Sequence, residues 1–240
     1  MNKIKHAFIV TSAVNSKFGV FTPDQRLEQT LGTIHSIKCK IPTAKIFVME
    51  CCGTPITNDQ ANQLIAHSDG FIDYSTDLDV QDMYDNDNWD IVKNGTEIMC
   101  FGNAVESLYL SGKLTGVDRV HKMSGRYVLN DLFDPETYED TIVQGKIVIG
   151  QKHDSQFPFT ATQQSWQYMA RLWSWPTAMT EDVIQVYRDS FLFFAGRVAV
   201  GGYIDIEHVL AKFLPTNHVY ELQNTGVEGQ IAPNGQAIKD

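Results

Sequence analysis

The sequence of 240 residues lacks several motifs that would assign a function directly. It has no G-x-S-x-G nucleophile elbow, no Walker phosphate-binding loop and no G-x-G-x-x-G dinucleotide fingerprint. These absences exclude the simplest hydrolase, P-loop and dinucleotide-dependent classes. No stretch rich in proline, glycine and serine divides the chain, so we expect a single domain over residues 1–240.

The sequence also lacks an excess of basic residues, because 29 acidic residues stand against 19 Lys and Arg and the formal net charge is −10. General nucleic-acid binding depends on many Lys and Arg contacts to phosphate, so it is not expected. The four cysteines show no C-x-x-C spacing, which argues against a zinc ribbon and favours reduced thiols. Residues 7–10 form an apolar run too short for a membrane helix or a signal-peptide core. We expect a cytoplasmic protein, or one of the host cytoplasm if the source is viral.

Apolar strands and amphipathic helices alternate along the first half of the chain. Residues 7–12 and 44–50 are apolar runs typical of buried parallel strands. Between them, Thr22 as N-cap and Pro23 at the first helical position predict a helix that runs to about Lys40. This alternation predicts a mostly parallel, twisted, Rossmann-like α/β sheet flanked by helices.

The remaining elements follow from the same patterns. Further strands are expected at residues 71–74, 117–123 and 146–150, and further helices at residues 57–67, 95–111, 180–193 and 203–213. The aspartate-rich residues 75–92 predict a polar loop, and residues 223–240 predict a mobile, loop-like C-terminal tail.

Candidate ligand-binding residues stand where the predicted strands end. In an open parallel sheet, ligands bind at the carboxyl ends of the strands, next to a topological switch point. The first strand ends at Thr11 and Ser12, and the second ends at Glu50. A hydroxyl or a carboxylate at these positions can bind a ribose or a base, although hydroxyls at strand ends also often cap the next turn.

The strand of residues 117–123 leads into a cationic turn. Lys122 and Arg126 flank Ser124 and Gly125. Arginine offers a bidentate fork, lysine a point charge, and glycine lets the backbone approach a ligand closely. The pattern suits a diphosphate, and solvated side chains at a strand exit are the alternative.

A second candidate site is the segment Asp205-Ile206-Glu207-His208, which follows two glycines and opens a predicted helix. A carboxylate at this position can act as a general base on an acceptor hydroxyl, and His208 can act as a base or as a metal ligand. The alternative is a helix N-terminus that carries acids favourable to its dipole.

Several stretches together resemble small GT-A-type nucleotide-sugar glycosyltransferases, of the bacterial and phage type associated with surface glycans. They comprise residues 8–12, 26–37, 41–50, 122–127 and 205–210. The resemblance implies a donor-binding half at about residues 1–130 and an acceptor-binding half at about residues 131–240. It implies transfer of a sugar from a nucleotide diphosphate sugar, such as a UDP-sugar, to a hydroxyl acceptor, most simply a glycan.

The resemblance also implies roles for individual residues. Thr11, Ser12 and Glu50 would face the nucleoside, and Lys93 would lie near the donor at the start of a helix. Asp205 or Glu207 would take the place of the acidic pair that many inverting members use as a base.

One departure from the family concerns the metal. GT-A enzymes usually carry a metal-binding D-x-D after the strand that ends here at Met123, whereas this chain has Ser124-Gly125-Arg126. Either Lys122 and Arg126 offset the charge of the leaving diphosphate, or Mn²⁺ or Mg²⁺ is held elsewhere. The candidates for a metal elsewhere are Asp131, Asp134, His208 and aspartates of the polar loop.

Two other functions remain open from the sequence. A sugar nucleotidyltransferase would need a glycine-rich loop with Lys or Arg after the first strand, where residues 13–22 offer only Lys17 and Gly19. A non-catalytic binding module could stack sugars on an aromatic cluster, although such clusters more often belong to the core. The cluster comprises Trp166, Tyr168, Trp173 and Trp175.

Overall fold

The computed structural model describes residues 3–232 and 234–240. In the first half, its strands are β1 (His6–Ser12), β2 (Lys45–Glu50), β3 (Gly70–Asp73), β4 (Arg119–Ser124) and β5 (Tyr127–Leu129). In the second half, they are β6 (Ile147–Gly150), β7 (His153–Asp154), β8 (Trp166–Gln167), β9 (Leu172–Pro176), β10 (Val219–Leu222), β11 (Val227–Gln230) and β12 (Ala237–Lys239). The helices are α1 (Pro23–Lys40), α2 (Asn58–His67), α3 (Leu78–Tyr84), α4 (Trp89–Leu110), α5 (Thr141–Gln144), α6 (Phe159–Thr162), α7 (Thr180–Ala199) and α8 (Ile206–Phe213).

The central sheet has seven strands in the order β10-β6-β9-β4-β1-β2-β3. Only β9 runs antiparallel to its neighbours, so the predicted mostly parallel α/β fold is confirmed. The chain moves from β1 to β2 and β3 on one side and then returns to place β4 on the other side of β1. The carboxyl ends of β1 and β4 therefore form a topological switch point, where an open sheet leaves a crevice.

Helices cover both faces of the sheet, which explains why its central strands are apolar throughout. Along β1, Ala7 and Ile9 pack into one cluster with α4, α7 and α8, whereas Phe8 and Val10 pack into a second cluster with α1 and α2. The alternation follows from the two-residue period of a strand. Packing against the two faces thus places α4 on one side of the switch point and α1 on the other.

The start of α1 is the one that the sequence predicts. Thr22 is the N-cap, its side chain accepts a hydrogen bond from the backbone N–H of Gln25, and the Gln25 side chain accepts one from the N–H of Thr22. Pro23 occupies the first turn, where its missing N–H has no partner to lose. This capping box satisfies two otherwise unpaired donors and sets where the inner face of α1 begins.

The acidic segment of residues 75–92 differs from the expected loop. It contains α3, capped by Asp77, and the first turn of α4, capped by Asn88. Each cap accepts a hydrogen bond from a backbone N–H two residues on, and Val80 is buried in the core. The side chains that give the segment its polar character therefore start helices here, as Asp and Asn often do.

The C-terminal segment also contains regular structure. β11 pairs with β5 and β12 to form a small antiparallel sheet, although a loop-like tail was expected. The mobility expected for this tail stays a prediction. In the part of the chain that the structure describes, no helix is both long and apolar enough to cross a membrane.

Candidate functional site

A cleft lies at the switch point between β1 and β4. Five of the residues expected to bind a donor line it: Thr11, Ser12, Lys93, Gly125 and Arg126. They come from the ends of β1 and β4 and from the first turns of α4. The sequence-based prediction that these strand ends converge is therefore matched by the geometry.

A second chamber continues from the first. It is lined by Lys122, Ser124, Asp205 and Glu207 among others. The two chambers share four lining residues: Trp89, Lys93, Glu97 and Arg126. The carboxylates at the start of α8 thus stand in the same cleft as the strand ends, although they lie about 80 residues after the end of β4 in sequence.

Two arginines that no described side chain pairs face the first chamber. Arg26 on α1 is only 5% exposed, and Arg126 follows β4. Within the described residues, neither guanidinium group forms an ion pair or a side-chain hydrogen bond, and Nε of each is buried without an acceptor. Burial, and then the charge of Arg126, lowers the pKa of Arg26 to about 10. The chamber therefore holds two cations whose charge no described side chain neutralises.

Arg26 was not among the residues expected in the site. It falls on the inner stripe of α1, at helical spacing from Thr30, Thr33 and Ile37, all of which are buried. A cation on a stripe that faces the core is unusual unless it has a partner. This spacing is the signal that could have identified it from the sequence.

Lys122 has a different environment from the one expected. It is 1% exposed, and its Nζ donates to Oε1 of Glu97 at 2.7 Å, to Oγ of Ser124 at 2.8 Å and to the carbonyl of Ala170 at 2.7 Å. These contacts use all three donors of the ammonium group. Lys122 thus lines the second chamber with its ammonium group already engaged, whereas Arg26 and Arg126 face the first chamber, and the expected role of Lys122 toward a diphosphate stays a prediction.

Glu97, on α4, was also missed as a site residue. Burial acts to raise the pKa of its carboxyl group, but Lys122, Arg126 and Lys93 together outweigh burial and lower it. The hydroxyl of Thr11 donates to the same Oε1 at 3.4 Å. Glu97 thus remains ionised and links the floor of both chambers to the end of β1.

Glu50 does not face the chamber in which a nucleoside was expected. Its side chain is fully buried, and its carboxylate accepts hydrogen bonds from the Ser12 hydroxyl and from the backbone N–H groups of Val14 and Cys52. Burial raises its pKa to about 7. The expected contact between Glu50 and a nucleoside is therefore corrected: Glu50 holds together the loops that follow β1 and β2.

Gly125 is required for a reason other than close approach of a ligand. A Cβ atom at this position would lie 2.9 Å from the carbonyl oxygen of Thr11 and 3.0 Å from Oγ1 of Thr30. Its backbone N–H donates to that same carbonyl at 2.8 Å. The glycine lets the turn after β4 pack against the end of β1, which positions the neighbouring Arg126.

The acids at the start of α8 have distinct surroundings. Asp205 is the N-cap of α8, and its Oδ1 accepts hydrogen bonds from the backbone N–H of His208 and from Nδ1 of the same residue. Glu207 lines the second chamber, where burial and then the negative charge of Asp205 raise its pKa. A raised pKa suits a group that must take up a proton near neutral pH.

The candidate metal ligands do not come together. Asp131 is exposed and pairs with Lys40 at 3.1 Å, and Asp134 caps a 3₁₀ turn. His208 is fully buried, with Asp205 at Nδ1 and the Ser155 hydroxyl at Nε2. Among the residues with described positions, no group of three or more His, Cys, Asp or Glu side chains is placed to hold an ion. Since Mg²⁺ and Mn²⁺ need oxygen ligands, the donor set at the end of β4 does not fit either ion.

The features expected of the two alternative functions are mostly engaged elsewhere. Lys17 donates to the backbone carbonyls of Tyr84 and Asn86, so its ammonium ties two loops together. Tyr168, Trp173 and Trp175 are buried in the core, and only Trp166 of the aromatic cluster is exposed. The cluster therefore does not form a stacking surface.

Comparison with known proteins supports the fold. No family model matches the sequence, and no curated protein matches it. The fold is similar to that of core-mannan synthase A from Aspergillus fumigatus in its Mn/GDP form, with a TM-score of 0.51 and 7% identity over 95% of this chain and 74% of that chain. The chain therefore has a GT-A-like fold.

Two other solved structures match with lower scores. One is 4-diphosphocytidyl-2C-methyl-D-erythritol synthase from Anaerococcus prevotii, with a TM-score of 0.45 and 10% identity over 91% of this chain and 86% of that chain. The other, assigned as a nucleotide-diphospho-sugar transferase from Desulfovibrio desulfuricans, has a TM-score of 0.47 and 12% identity over 91% of this chain and 80% of that chain. The likeness of fold rests on the mannan synthase.

Proposed function

We propose that the chain is a glycosyltransferase that moves a sugar from a nucleotide diphosphate sugar to an acceptor hydroxyl. The observation that carries the proposal is the continuous cleft with Arg26 and Arg126, which no described side chain pairs, in one chamber and Glu207 in the other. A donor needs cations for its phosphates, and an acceptor hydroxyl needs a base within reach. The GT-A-like fold and the Mn/GDP form of the mannan synthase support the same class of reaction.

In this proposal the donor occupies the first chamber. The nucleoside lies against the ends of β1 and β2, near Thr11 and Ser12, and Arg26, Lys93 and Arg126 bind the phosphates. The sugar then lies at the junction of the chambers. Residues of about 1–130 supply most of the donor site, and residues of about 131–240 supply the acceptor site.

The chemical step needs one base and stabilisation of one leaving group. The carboxylate of Glu207 takes the proton of the acceptor hydroxyl as that oxygen attacks the anomeric carbon. The bond between the anomeric carbon and the diphosphate oxygen breaks, and the electron pair leaves with the nucleoside diphosphate. The arginines stabilise the charge that develops on this leaving group. Asp205 positions the start of α8, because its carboxylate is engaged by His208.

The proposal is tested by a thermal-shift panel of UDP- and GDP-sugars, with CMP-sugars as the monophosphate comparison, each with and without Mn²⁺. A donor that binds only the folded chain must raise its unfolding temperature by mass action. With the donor found, release of nucleoside diphosphate is measured against a panel of glycan acceptors. We expect acceptor-dependent release that Glu207→Gln slows while the donor-induced shift persists.

Two other outcomes would assign a different function. Release of pyrophosphate from a nucleoside triphosphate and a sugar phosphate would indicate a sugar nucleotidyltransferase. Absence of a shift with every nucleotide at millimolar concentration would indicate a non-catalytic binding module.

A further inference from the structure

Arg26 is a buried cation with an open chamber in front of it. Its guanidinium lies beside Gly19, where an added Cβ atom would be 3.3 Å from one of its terminal nitrogens, and over the ring of Phe21 at 5.2 Å from the centroid. These contacts hold the side chain in one place, and no described residue supplies an acceptor to its Nε. A buried charge without a partner is costly, and a ligand that supplies the missing acceptors would offset that cost.

Arg126 lines the same chamber but belongs to a different element, the turn after β4. It follows β4, its guanidinium lies 5.6 Å from the ring centroid of Tyr127, and it also lines the second chamber. α1 supplies one guanidinium and the turn after β4 supplies the other, so a ligand between them would be held by two rigid elements. The packing of Gly125 against Thr11 and Thr30 fixes this geometry.

We infer that Arg26 and Arg126 together form a site for the diphosphate group of a nucleoside diphosphate, and that this site needs no divalent metal. The inference rests on the proposed function and adds that two arginines, rather than a divalent metal, bind the diphosphate of the donor. Two guanidinium groups that no described side chain pairs match the two negative charges of the diphosphate diester in an intact nucleotide sugar, and free UDP or GDP carries one charge more. Each can bind phosphate oxygens through a bidentate fork.

The surrounding charges disfavour a cation at this place. Glu97 is the carboxylate on the floor of the chamber, and Lys122 already neutralises it at 2.7 Å. Lys93 adds a further positive charge to the same chamber. A divalent ion would therefore be repelled by three cations and would find only one carboxylate, which is already paired. The same three cations would attract a diphosphate.

The test is isothermal titration of the full chain with UDP and GDP, each in excess EDTA and in Mn²⁺, with the nucleosides as controls. We expect at least one nucleoside diphosphate to bind equally well in both conditions. Arg26→Gln and Arg126→Gln should each weaken that binding by about tenfold or more, as expected for lost hydrogen bonds to a charged group. Arg188→Gln, on the exposed face of α7, is the matched control and should bind as the parent does.

Arg26→Met separates a ligand site from a structural role. Since an unpaired buried charge is removed, the variant should unfold at a higher temperature than the parent without nucleotide, and it should lose the nucleotide-induced shift. A lower unfolding temperature without nucleotide would show that Arg26 supports the fold and would overturn the inference. Arg26→Lys keeps the charge without the fork and should bind more weakly than the parent but more tightly than Arg26→Gln.

The inference and the proposed function fail in different ways. Binding of the diphosphate only in Mn²⁺, with Arg26→Gln unaffected, would overturn the inference, while sugar transfer by the parent would leave the proposed function intact. No nucleotide binding in either condition would overturn both.

Discussion

Nζ of Lys122 lies 2.7 Å from Oε1 of Glu97, in a buried ion pair that joins β4 to α4 beneath the cleft. The lysine side chain is 1% exposed and the glutamate side chain is 14% exposed. Breaking such a pair is strongly destabilising, because one buried charge is left without its partner. The pair therefore fixes the position of α4, from which Lys93 and Glu97 reach the two chambers.

The first prediction concerns this pair. Lys122→Met should lower the free energy of unfolding by about 3–5 kcal/mol, because Glu97 is left ionised and buried. Lys122→Met combined with Glu97→Gln should recover part of that loss, since no charge then remains unpaired. Urea unfolding measures both, and Lys113→Met, at an exposed position, is the control. With Glu97→Gln alone also measured, a double-variant loss equal to the sum of the two single losses would show that the two side chains are not coupled.

The second prediction follows from the raised pKa of Glu50. Burial raises it from 4.5 to about 7, so between those values the folded protein keeps a proton that the unfolded chain has released. The free energy of unfolding should therefore fall as the pH rises through this window, by on the order of 3 kcal/mol. Glu50→Gln mimics the protonated form, because its amide can accept from Cys52 and donate to Ser12. The variant should lose this fall.

A buried histidine pair has the opposite effect to Glu50, because it makes the free energy of unfolding rise with pH. Nδ1 of His6 lies 2.9 Å from Nε2 of His121, and burial lowers the pKa of His6 from 6.5 to about 4 and that of His121 well below its usual value. In the folded state these rings stay neutral where the unfolded chain takes up protons, so stability should rise with pH up to about 6.5. In the parent, the fall due to Glu50 partly cancels the rise due to the histidines. In Glu50→Gln the free energy of unfolding, measured with urea at a series of pH values, should therefore rise more steeply between about pH 4 and 6.5. A pH dependence identical to that of the parent would show that Glu50 does not titrate in this window.

The features of the site that depend on neighbouring residues in the sequence, or on general rules for parallel sheets, could be predicted from the sequence. Thr22 and Gln25 form a cap within one turn, so the start of α1 could be read directly from the sequence. The meeting of the ends of β1 and β4 followed from the general behaviour of parallel sheets. Both predictions rest on rules that need no knowledge of distant neighbours.

The partner of each charged group could not be predicted in the same way. Lys122 and Arg126 look equivalent in sequence, yet α4 places Glu97 against the lysine and leaves the arginine unpaired. Arg26 lies on α1, 100 residues before Arg126 in sequence. It reaches the site because α1 packs on the face of the sheet opposite to α4. Glu50 ends a strand as expected, but the loops that follow β1 and β2 fold over its carboxylate. These outcomes depend on tertiary packing rather than on local pattern.

Asp205 and Glu207 are two residues apart, but the structure gives them different tasks, and this leads to the third prediction. Asp205 caps α8 and binds His208, whereas Glu207 faces the second chamber. If Glu207 is the base, Glu207→Gln should lower kcat by about 10²- to 10⁴-fold with little change in donor affinity. The rate of the parent should rise with pH through the raised pKa of Glu207, and the variant should lose this limb.

Asp205→Asn provides the discriminating measurement. Asparagine is as good an N-cap as aspartate, so the helix start should be retained and urea unfolding should change little. Burial is the first cause of the raised pKa of Glu207 and the negative charge of Asp205 is the second, so removal of that charge should move the acid limb of the rate profile to lower pH. Asp205→Ala should instead lower stability by about 1 kcal/mol, because the cap is lost. If Asp205→Asn abolished the acid limb and Glu207→Gln left it in place, the roles of the two carboxylates would be reversed.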